Sequence, residues 1–199
     1  MILGPLIIVS GPSGSGKSTL IRRALKVFGS ELRHSISATT RLKREGEVDG
    51  VDYHFWTKAR FQKGIADGEF LEYATVFGKN DYGTPRSEVE PYRLRGLGVV
   101  LDVDVQGAEQ LRRTCPDGFS IFLETPVGEY ERRLRERETD PEDAIQRRLE
   151  SARLELARAH EFNARMVNDN VEQAVDEFCS LIRSRFEAAS MGGRTCLRI

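Results

Sequence analysis

Cysteine is scarce in this sequence, and the few cysteines are far apart. There are three in 199 residues, Cys115, Cys179 and Cys196, and no two of them form a Cys-x-x-Cys pair. A disulfide framework needs an even set of cysteines, and a cysteine metal or redox site needs close spacing, so neither is expected. We interpret the three as reduced thiols of a cytoplasmic protein, with a buried, structural role rather than a catalytic one.

Long apolar runs and an excess of charge of one sign are also missing. No segment approaches the roughly 20 apolar residues that cross a bilayer. The N-terminal residues 1–5 lack the basic region and cleavage site of a signal peptide. Lysine and arginine number 30 against 31 aspartate and glutamate, so the chain has no basic field to attract nucleic acid. We therefore expect a cytoplasmic protein, a monomer or homodimer, with no membrane or nucleic-acid partner.

A glycine-rich segment near the N-terminus is the most informative feature that is present. It follows the apolar run Leu6–Val9 and precedes the helical pattern Leu20–Leu25. Glycines let backbone N–H groups turn toward phosphate oxygens, and the N-terminus of the following helix adds its positive dipole. Lys17 would reach the β- and γ-phosphates of a nucleoside triphosphate, and the Ser18 hydroxyl would complete the coordination of Mg²⁺. The predicted triphosphate-binding residues are Gly11, Pro12, Ser13, Gly14, Ser15, Gly16, Lys17, Ser18 and Thr19.

Apolar strand-like runs alternate with helical patterns, which favours an α/β fold with a parallel sheet. The runs are Leu6–Val9, Val99–Val103, Ile121–Leu123 and Met166–Val167. The stretch of about 35–95 interrupts this order with short aromatic-rich segments, and we expect it to be an inserted subdomain. Two apolar stripes predict helices that pack on the sheet. They consist of Ile145, Leu149, Ala152, Leu156 and Ala159, and of Val171, Ala174, Val175, Phe178 and Ile182. We expect the tail, 191–199, to be disordered.

A phosphate loop alone is compatible with GTPases, transport ATPases, helicases and kinases of small molecules. The Asn-Lys-x-Asp segment with which GTPases recognise guanine is missing. Kinases of phosphorylated acceptors need a second anion site, and Ser35–Arg44 offers two arginines three residues apart, with hydroxyl side chains before them. The alternative for this segment is an ordinary solvated loop.

The stretch Ser37–Tyr53 closely resembles the acceptor-binding region of guanylate kinases, through Thr39-Thr40-Arg41, Arg44, Gly46-Glu47, Gly50 and Asp52-Tyr53. Leu101–Gly107 resembles a further segment of the same family, and the resemblance extends from the phosphate loop to about Asp169. It implies a P-loop kinase fold with a parallel-sheet core, an inserted GMP-binding subdomain and a helical lid. It also implies ATP-dependent phosphorylation of GMP, and of dGMP, to the diphosphate. The single domain would then consist of a core (about 1–34, 96–126 and 159–190), the GMP-binding subdomain (about 35–95) and the lid (about 127–158).

The resemblance also implies roles for individual residues. The ligands of the GMP phosphate would be Ser37, Arg41, Arg44, Tyr53 and Tyr82. The residues that recognise guanine would be Glu72, Thr84 and Asp104. A carboxylate can accept from guanine N1–H and the N2 amine while a hydroxyl donates to O6. Adenine presents the opposite pattern, so we expect discrimination against AMP by a factor of about 10³ or more.

Asp102 resembles the residue that orients Mg²⁺ through water. Asp102 and Asp104 alternate on what looks like a buried strand and would then point the same way, although one of them could instead cap a helix. Mg²⁺ with ATP is thus the implied cofactor. We also infer an adenine contact near Asn168.

The lid resemblance rests on arginines that lie on one face of a charged helix. With Lys17 and Arg41, the implied catalytic residues are Arg133, Arg137 and Arg148. Charged helices are more often simply solvated, which is the alternative. Glu138 stands where family members commonly have glycine, so the hinge of the lid departs from the family pattern. GMP phosphate is largely dianionic at neutral pH, so no side-chain base is needed.

Two other functions fit part of the sequence. Guanylate-kinase-like domains of scaffold proteins bind protein segments and typically lack a complete phosphate loop, which this chain has. A kinase of a phosphorylated ribose would share the loop but would have no need of Glu72 with Thr84. Both are less favoured than the enzyme that phosphorylates GMP.

Overall fold

The structure is a computed structural model that describes residues 2–76, 79–126, 128–135 and 142–195. Its strands are β1 (Leu6–Ser10), β2 (Leu32–His34), β3 (Ala38–Thr39), β4 (His54–Phe55), β5 (Phe70–Val76), β6 (Asn80–Pro85), β7 (Gly98–Asp102), β8 (Phe119–Glu124) and β9 (Ala164–Val167). Its α-helices are α1 (Lys17–Phe28), α2 (Lys58–Ala66), α3 (Glu90–Leu94), α4 (Val105–Thr114), α5 (Glu129–Arg135), α6 (Glu142–Ala157) and α7 (Val171–Thr195).

The strands form two sheets. The first has the order β2-β7-β1-β8-β9, and all its neighbouring strands are parallel. The second has the order β4-β3-β6-β5 and is antiparallel except for the pair β3–β4. The chain leaves the first sheet after β2 and returns to it at β7, so the second sheet is an insertion between them. The predicted α/β fold with a parallel sheet is confirmed.

The central strand β1 is buried throughout because helices cover both faces of the first sheet. Side chains alternate along a strand. Ile7 and Val9 therefore pack on one side with residues of α1 and α7, while Leu6 and Ile8 pack on the other with residues of α4. A strand buried on both faces has a continuous apolar run rather than an alternating one. Because β1 is buried along its whole length, its end and the loop that follows it have a fixed position in the molecule.

A helix is present at each of the two predicted apolar stripes, but α6 ends at Ala157, so Ala159 lies in a separate 3₁₀ turn, Ala159–Glu161. Ile145, Ala152 and Ala159 are buried, and so are four of the five predicted residues of α7: Ala174, Val175, Phe178 and Ile182. Leu149, Leu156 and Val171 are half-buried. The described part of the chain contains no helix that is long and apolar enough to cross a membrane.

The C-terminal segment differs from the expectation. Helix α7 continues to Thr195, so the expected disorder is wrong for residues 191–195. Residues 196–199, with Cys196, lie outside the described residues. Cys115 and Cys179 are free and buried, and burial raises the pKa of both thiols, as expected of structural rather than reactive cysteines.

Candidate active site

The glycine-rich segment forms the turn between β1 and α1, as predicted. Gly11 and Gly16 have φ values of 142° and 98°, which glycine adopts far more easily than other residues. A Cβ atom at Gly11 would lie 2.2 Å from Leu123 O, and one at Gly16 would lie 2.2 Å from Asn168 Nδ2. These positions exclude side chains, so the loop has the close backbone packing that a phosphate cradle requires.

Lys17 is the first residue of α1, and its ammonium group lies across the loop. Nζ donates to Gly11 O at 2.5 Å and to Pro12 O at 3.3 Å. Both acceptors are neutral carbonyl oxygens. A phosphate oxygen is an anionic and therefore stronger acceptor for the same protons. Lys17 therefore lies where the phosphate oxygens of a bound triphosphate could replace the two carbonyl oxygens as its acceptors.

Asn168, just after β9, is hydrogen-bonded to the phosphate loop. Its side chain is buried, and Nδ2 donates to Ser15 O at 2.8 Å. Its backbone N–H donates to Glu124 O at 2.8 Å, which fixes the residue to the end of β8. The sequence suggests an adenine contact near Asn168, whereas the structure gives its side-chain amide a role in shaping the loop. Asn168 and Ser15 are 153 residues apart, so no local sequence pattern predicts the hydrogen bond between them.

Oxygen donors suited to Mg²⁺ lie beside the lysine. Asp102 ends β7, and its Oδ1 lies 4.0 Å from Lys17 Nζ. Ser18, in the first turn of α1, is exposed. A hydroxyl and a carboxylate are hard ligands, and Mg²⁺ in kinases is held by a few such groups together with the phosphates of the nucleotide. The residues present therefore fit the predicted metal.

The two residues expected to recognise a base face each other across β5 and β6. Glu72 and Thr84 are directly paired in the antiparallel register, and Thr84 Oγ1 donates to Glu72 Oε1 at 2.6 Å. Both side chains are buried, Glu72 at 6% exposed and Thr84 at 0%. A buried carboxylate with one hydroxyl donor retains unused acceptor capacity. The pair is therefore an incomplete polar site inside the protein.

Burial changes the acidity of this carboxyl group. Loss of hydration raises the pKa of Glu72 to about 7, the Thr84 hydroxyl opposes that shift, and the negative charge of Asp104 adds to it. The carboxyl is therefore only partly ionised at neutral pH. A ligand that donates two hydrogen bonds would favour the ionised form.

Helix α4 lies directly against Glu72. A Cβ atom at Gly107 would be 2.8 Å from Glu72 Oε2, so glycine is what allows the carboxylate to approach the first turn of the helix. Gln110 continues the contact: Nε2 donates to Tyr73 O at 2.7 Å, and Oε1 accepts from Tyr73 N at 3.2 Å. The Gln110 side chain thus bonds to the backbone of β5 in the way that a neighbouring strand would. The sequence pattern did not reveal it.

Asp102 and Asp104 do not share a strand, which corrects that expectation. β7 ends at Asp102, and Asp104 is the N-cap of α4, where Oδ1 accepts from Gly107 N at 2.8 Å. The helix-cap alternative thus applies to Asp104. Its charge nevertheless acts on Glu72, and its assignment as a residue that recognises the base stays a prediction.

Three of the five predicted phosphate ligands form a cluster on the second sheet. The rings of Tyr53 and Tyr82 are 5.9 Å apart, and the Arg41 guanidinium lies 5.4 Å from the centre of the Tyr53 ring. The pKa of Arg41 is raised, mainly by its hydrogen bonds with Glu47, and Tyr82 contributes a smaller hydrogen-bond effect. These residues are far apart in sequence, and the sheet brings them together.

Glu47 orders the arginine of this cluster. Arg41 donates through Nη1 to Oε2 at 3.0 Å and through Nη2 to Oε1 at 2.7 Å. Arg44 N donates to the same carboxylate at 2.7 Å. These bonds, with the Arg41 guanidinium first among them, hold the pKa of Glu47 at about 2, so it stays ionised at all working pH values. The sequence resemblance included Glu47 without a role.

The other two predicted phosphate ligands lie at the edges of this cluster. Ser37 precedes β3, and its carbonyl oxygen accepts from His54 N at 2.9 Å, next to Tyr53. The Arg44 side chain is exposed. Neither side chain is shown in contact with the arginine and tyrosines. Their assignment as ligands stays a prediction.

The lid arginines fall partly outside what the structure describes. Arg137 and Glu138 lie outside the described residues, and so does the side chain of Arg133 in α5. Arg148 lies on α6 and is half-buried. Arg135 connects the two helices, since its Nη1 and Nη2 donate to Glu142 at 2.6 and 2.8 Å.

Comparison with known proteins gives a consistent result. A family model described as guanylate kinase matches residues 4–185. The guanylate kinase of Rubrobacter xylanophilus is 49% identical over 181 residues, which cover 90% of this chain and 94% of that one. The guanylate kinase of Oleidesulfovibrio alaskensis is 47% identical over 189 residues, covering 94% and 89%. The crystal structure of guanylate kinase from Anaplasma phagocytophilum superimposes with a TM-score of 0.73 at 29% identity, covering 92% of this chain and 87% of that one.

Proposed function

Because this chain belongs to the guanylate kinase family, we propose that its phosphate loop and its second sheet are the donor and acceptor ends of one phosphoryl-transfer site. The protein is an ATP-dependent kinase that converts GMP to GDP. The observation that carries the assignment of the acceptor end is the buried pair Glu72 and Thr84.

Guanine matches the unused capacity of this pair. Its N1–H and N2 amine are two adjacent donors, which an ionised Glu72 can accept together. Thr84 has a single hydroxyl proton, which Glu72 accepts in this structure. When guanine supplies its own protons to the carboxylate, that hydroxyl is released to donate to O6. Asp104, whose cap bond uses one oxygen, has a second oxygen for the N2 amine.

The GMP phosphate is assigned to the cluster around Arg41. Arg41, Tyr53 and Tyr82 lie together, and Ser37 and Arg44 lie on the adjoining loops. The two bonds from Arg41 to Glu47 orient its guanidinium, and because a guanidinium has five N–H donors they do not use all of its capacity to bind a phosphate. Holding the acceptor this way also reduces its repulsion from ATP.

At the donor end we assign ATP to Gly11–Thr19, with Lys17 on its terminal phosphates. Ser18 would hold Mg²⁺ directly and Asp102 would hold it through water. When bound, Mg²⁺ neutralises charge on the transferring group. We propose that Arg133, Arg137 and Arg148, which belong to the lid, also neutralise the charge on the transferring group. The dianionic phosphate of GMP attacks without a protein base, so these residues position and neutralise rather than move protons.

We also propose the division into core (about 1–34, 96–126 and 159–190), GMP-binding subdomain (about 35–95) and lid (about 127–158). The separate second sheet supports it. A cytoplasmic location is supported by the free, buried thiols of Cys115 and Cys179. The net charge of −1 supports the absence of a nucleic-acid partner. A monomer or a homodimer is expected, which light scattering of the purified protein distinguishes.

The test compares acceptors side by side. We expect ADP release with ATP and Mg²⁺ to be stimulated by GMP and dGMP, and AMP to be poorer by about 10³ in kcat/KM because adenine N1 is an acceptor where guanine N1–H donates to Glu72. A ribose bisphosphate serves as the acceptor without a base. Equal rates with GMP and AMP would contradict the assignment of Glu72 and Thr84.

A further inference from the structure

A partly buried ionic cluster of Arg33, His54 and Glu88 lies where the chain passes between the two sheets, and the proposed mechanism does not use it. The first passage runs from β2 to β3, and the second from β6 to β7 through Arg86–Glu88 and α3. Glu88 stands at the end of that 3₁₀ turn. The Glu88 side chain is only 15% exposed, which is unusual for a carboxylate. Such a group is expected to have a structural or positioning role.

Glu88 is bonded to both sheets. Its Oε2 accepts from the Arg33 guanidinium, which belongs to β2 of the first sheet. The same oxygen accepts from Ile36 N at 3.4 Å, in the passage toward the second sheet. Its Oε1 lies 3.0 Å from Nε2 of His54, in β4 of the second sheet. One carboxylate thus holds three separate parts of the chain.

The Arg33 side chain is itself fixed on the core side. Its guanidinium lies 3.5 Å from the centre of the Tyr92 ring, which belongs to α3. Stacking on an aromatic ring limits the directions in which a guanidinium can point. Glu88 is therefore anchored to a guanidinium whose own position is set by the core.

The residues attached to Glu88 are direct neighbours of proposed phosphate ligands. Ile36 precedes Ser37, and His54 follows Tyr53. Ser37 and His54 are also joined, because His54 N donates to Ser37 O at 2.9 Å. A shift of Glu88 would move both ligands relative to β2. Phosphoryl transfer depends on the distance between the acceptor and the donor, so such a shift would be costly.

We propose that Glu88 is a positioning residue for the GMP phosphate: it ties Arg33 of the first sheet to Ile36 and His54, and so holds Ser37 and Tyr53 at a fixed place relative to the phosphate loop. The inference rests on the proposed function, since it takes Ser37 and Tyr53 as phosphate ligands. It adds a residue whose carboxylate touches neither nucleotide.

The test replaces Glu88 by alanine in the full chain and compares three ligands. We expect KM for GMP to rise about tenfold, the size of effect that coupled residues show when one is removed. KM for ATP should change less than twofold. Inhibition by guanosine, which lacks the phosphate, should also stay unchanged, because Glu72 and Thr84 are not displaced. A purely structural role would affect all three ligands or only the amount of folded enzyme.

Four further variants, including Arg33→Ala alone, make the result decisive. Glu90→Gln is the matched control, because Glu90 is a nearby exposed carboxylate in an ion pair with Arg86. Arg33→Ala combined with Glu88→Ala should be no worse than the poorer single variant, since both remove the same tie. If Glu88→Ala does not fold, Glu88→Gln, which keeps the size and one acceptor oxygen, should raise KM for GMP about threefold.

Different KM results would contradict the positioning role of Glu88 and the proposed phosphate site. Tyr53→Phe tests the phosphate site directly. If Tyr53→Phe raises KM for GMP and Glu88→Ala does not, only the inference is wrong. If neither changes KM for GMP, the phosphate site itself is misassigned. A rise in the KM values of ATP and GMP together in Glu88→Ala would also overturn the positioning role.

Discussion

The two ends of the site are built in opposite ways. The donor end is a continuous stretch of chain between β1 and α1, and its surfaces are largely backbone. The acceptor end consists of side chains from separate strands, with Glu72 on β5, Thr84 on β6 and Asp104 at the start of α4. Backbone N–H groups suit a phosphate, which every nucleotide carries. Recognition of one base requires particular side chains, and these need a sheet to bring them together.

The charged groups of the two ends are also held differently. Lys17 donates to neutral carbonyl oxygens of its own loop, whereas Arg41 is paired with the ionised Glu47. A bound phosphate can draw Lys17 from weak acceptors. Arg41 keeps a fixed orientation because its charge-assisted bonds are strong. The donor end is therefore expected to adjust on binding, and the acceptor end to be preformed.

The largest expected effect is at the donor end. Lys17→Ala removes the cation assigned to the transferring phosphoryl group, and we expect kcat to fall about a thousandfold. Binding of GMP, measured by calorimetry in the absence of ATP, should not change, because the acceptor end is built separately. Lys26→Ala, which changes an exposed lysine of the same helix, is the control. Near-normal turnover of Lys17→Ala in a coupled ADP assay would contradict the assignment.

The acceptor end gives the next largest effect. Glu72→Gln replaces one acceptor by a donor that faces a donor of guanine, so we expect KM for GMP to rise by about 10² or more. KM for ATP should stay within about twofold. Glu69→Gln changes a carboxylate just before β5 that pairs with Arg60, and it serves as the control. An unchanged KM for GMP in Glu72→Gln would show that the base is recognised elsewhere.

The contrast between the two ends explains what the sequence could predict. The loop was predictable because nine consecutive residues carry it, and the fold because β1 and its neighbours are continuous apolar runs. Glu72 was assignable only through the resemblance, since no local pattern pairs it with Thr84. The roles that the structure gives to Asn168, Glu47 and Glu88 were not predictable, because each acts through a contact that only folding creates. Asp104 was misplaced because alternation along β7 ends two residues earlier than expected.

Glu72 also predicts a dependence of stability on pH. Its folded pKa of about 7 is above the ordinary value of 4.5 for a glutamate, so the folded state holds the proton more tightly. The contribution of this group to stability is complete below pH 4.5 and is lost as the pH rises through 7. Between pH 5 and 8 this loss corresponds to about 2 kcal/mol.

The measurement is urea unfolding of wild type and Glu72→Gln at pH 5 and pH 8. The glutamine variant carries no ionisable group at this site. Its stability relative to wild type should therefore increase from pH 5 to pH 8. A constant difference between the two proteins across this range would mean that Glu72 is ionised normally in the fold.

The smallest of these effects concerns the support of the donor loop. Asn168→Ala removes the hydrogen bond to Ser15 O, and we expect KM for ATP to rise about tenfold, with KM for GMP unchanged. Inorganic tripolyphosphate, used as a competitor of ATP, separates two explanations. If Asn168 shapes the loop, tripolyphosphate binding weakens by the same factor; if Asn168 contacts adenine, only ATP binding weakens. Asn170→Ala is the control, because the Asn170 side chain accepts from Glu172 N and Gln173 N at the start of α7. Equal weakening of ATP and GMP would contradict the separation of the two ends, because a change confined to the donor loop would then have reached the acceptor sheet.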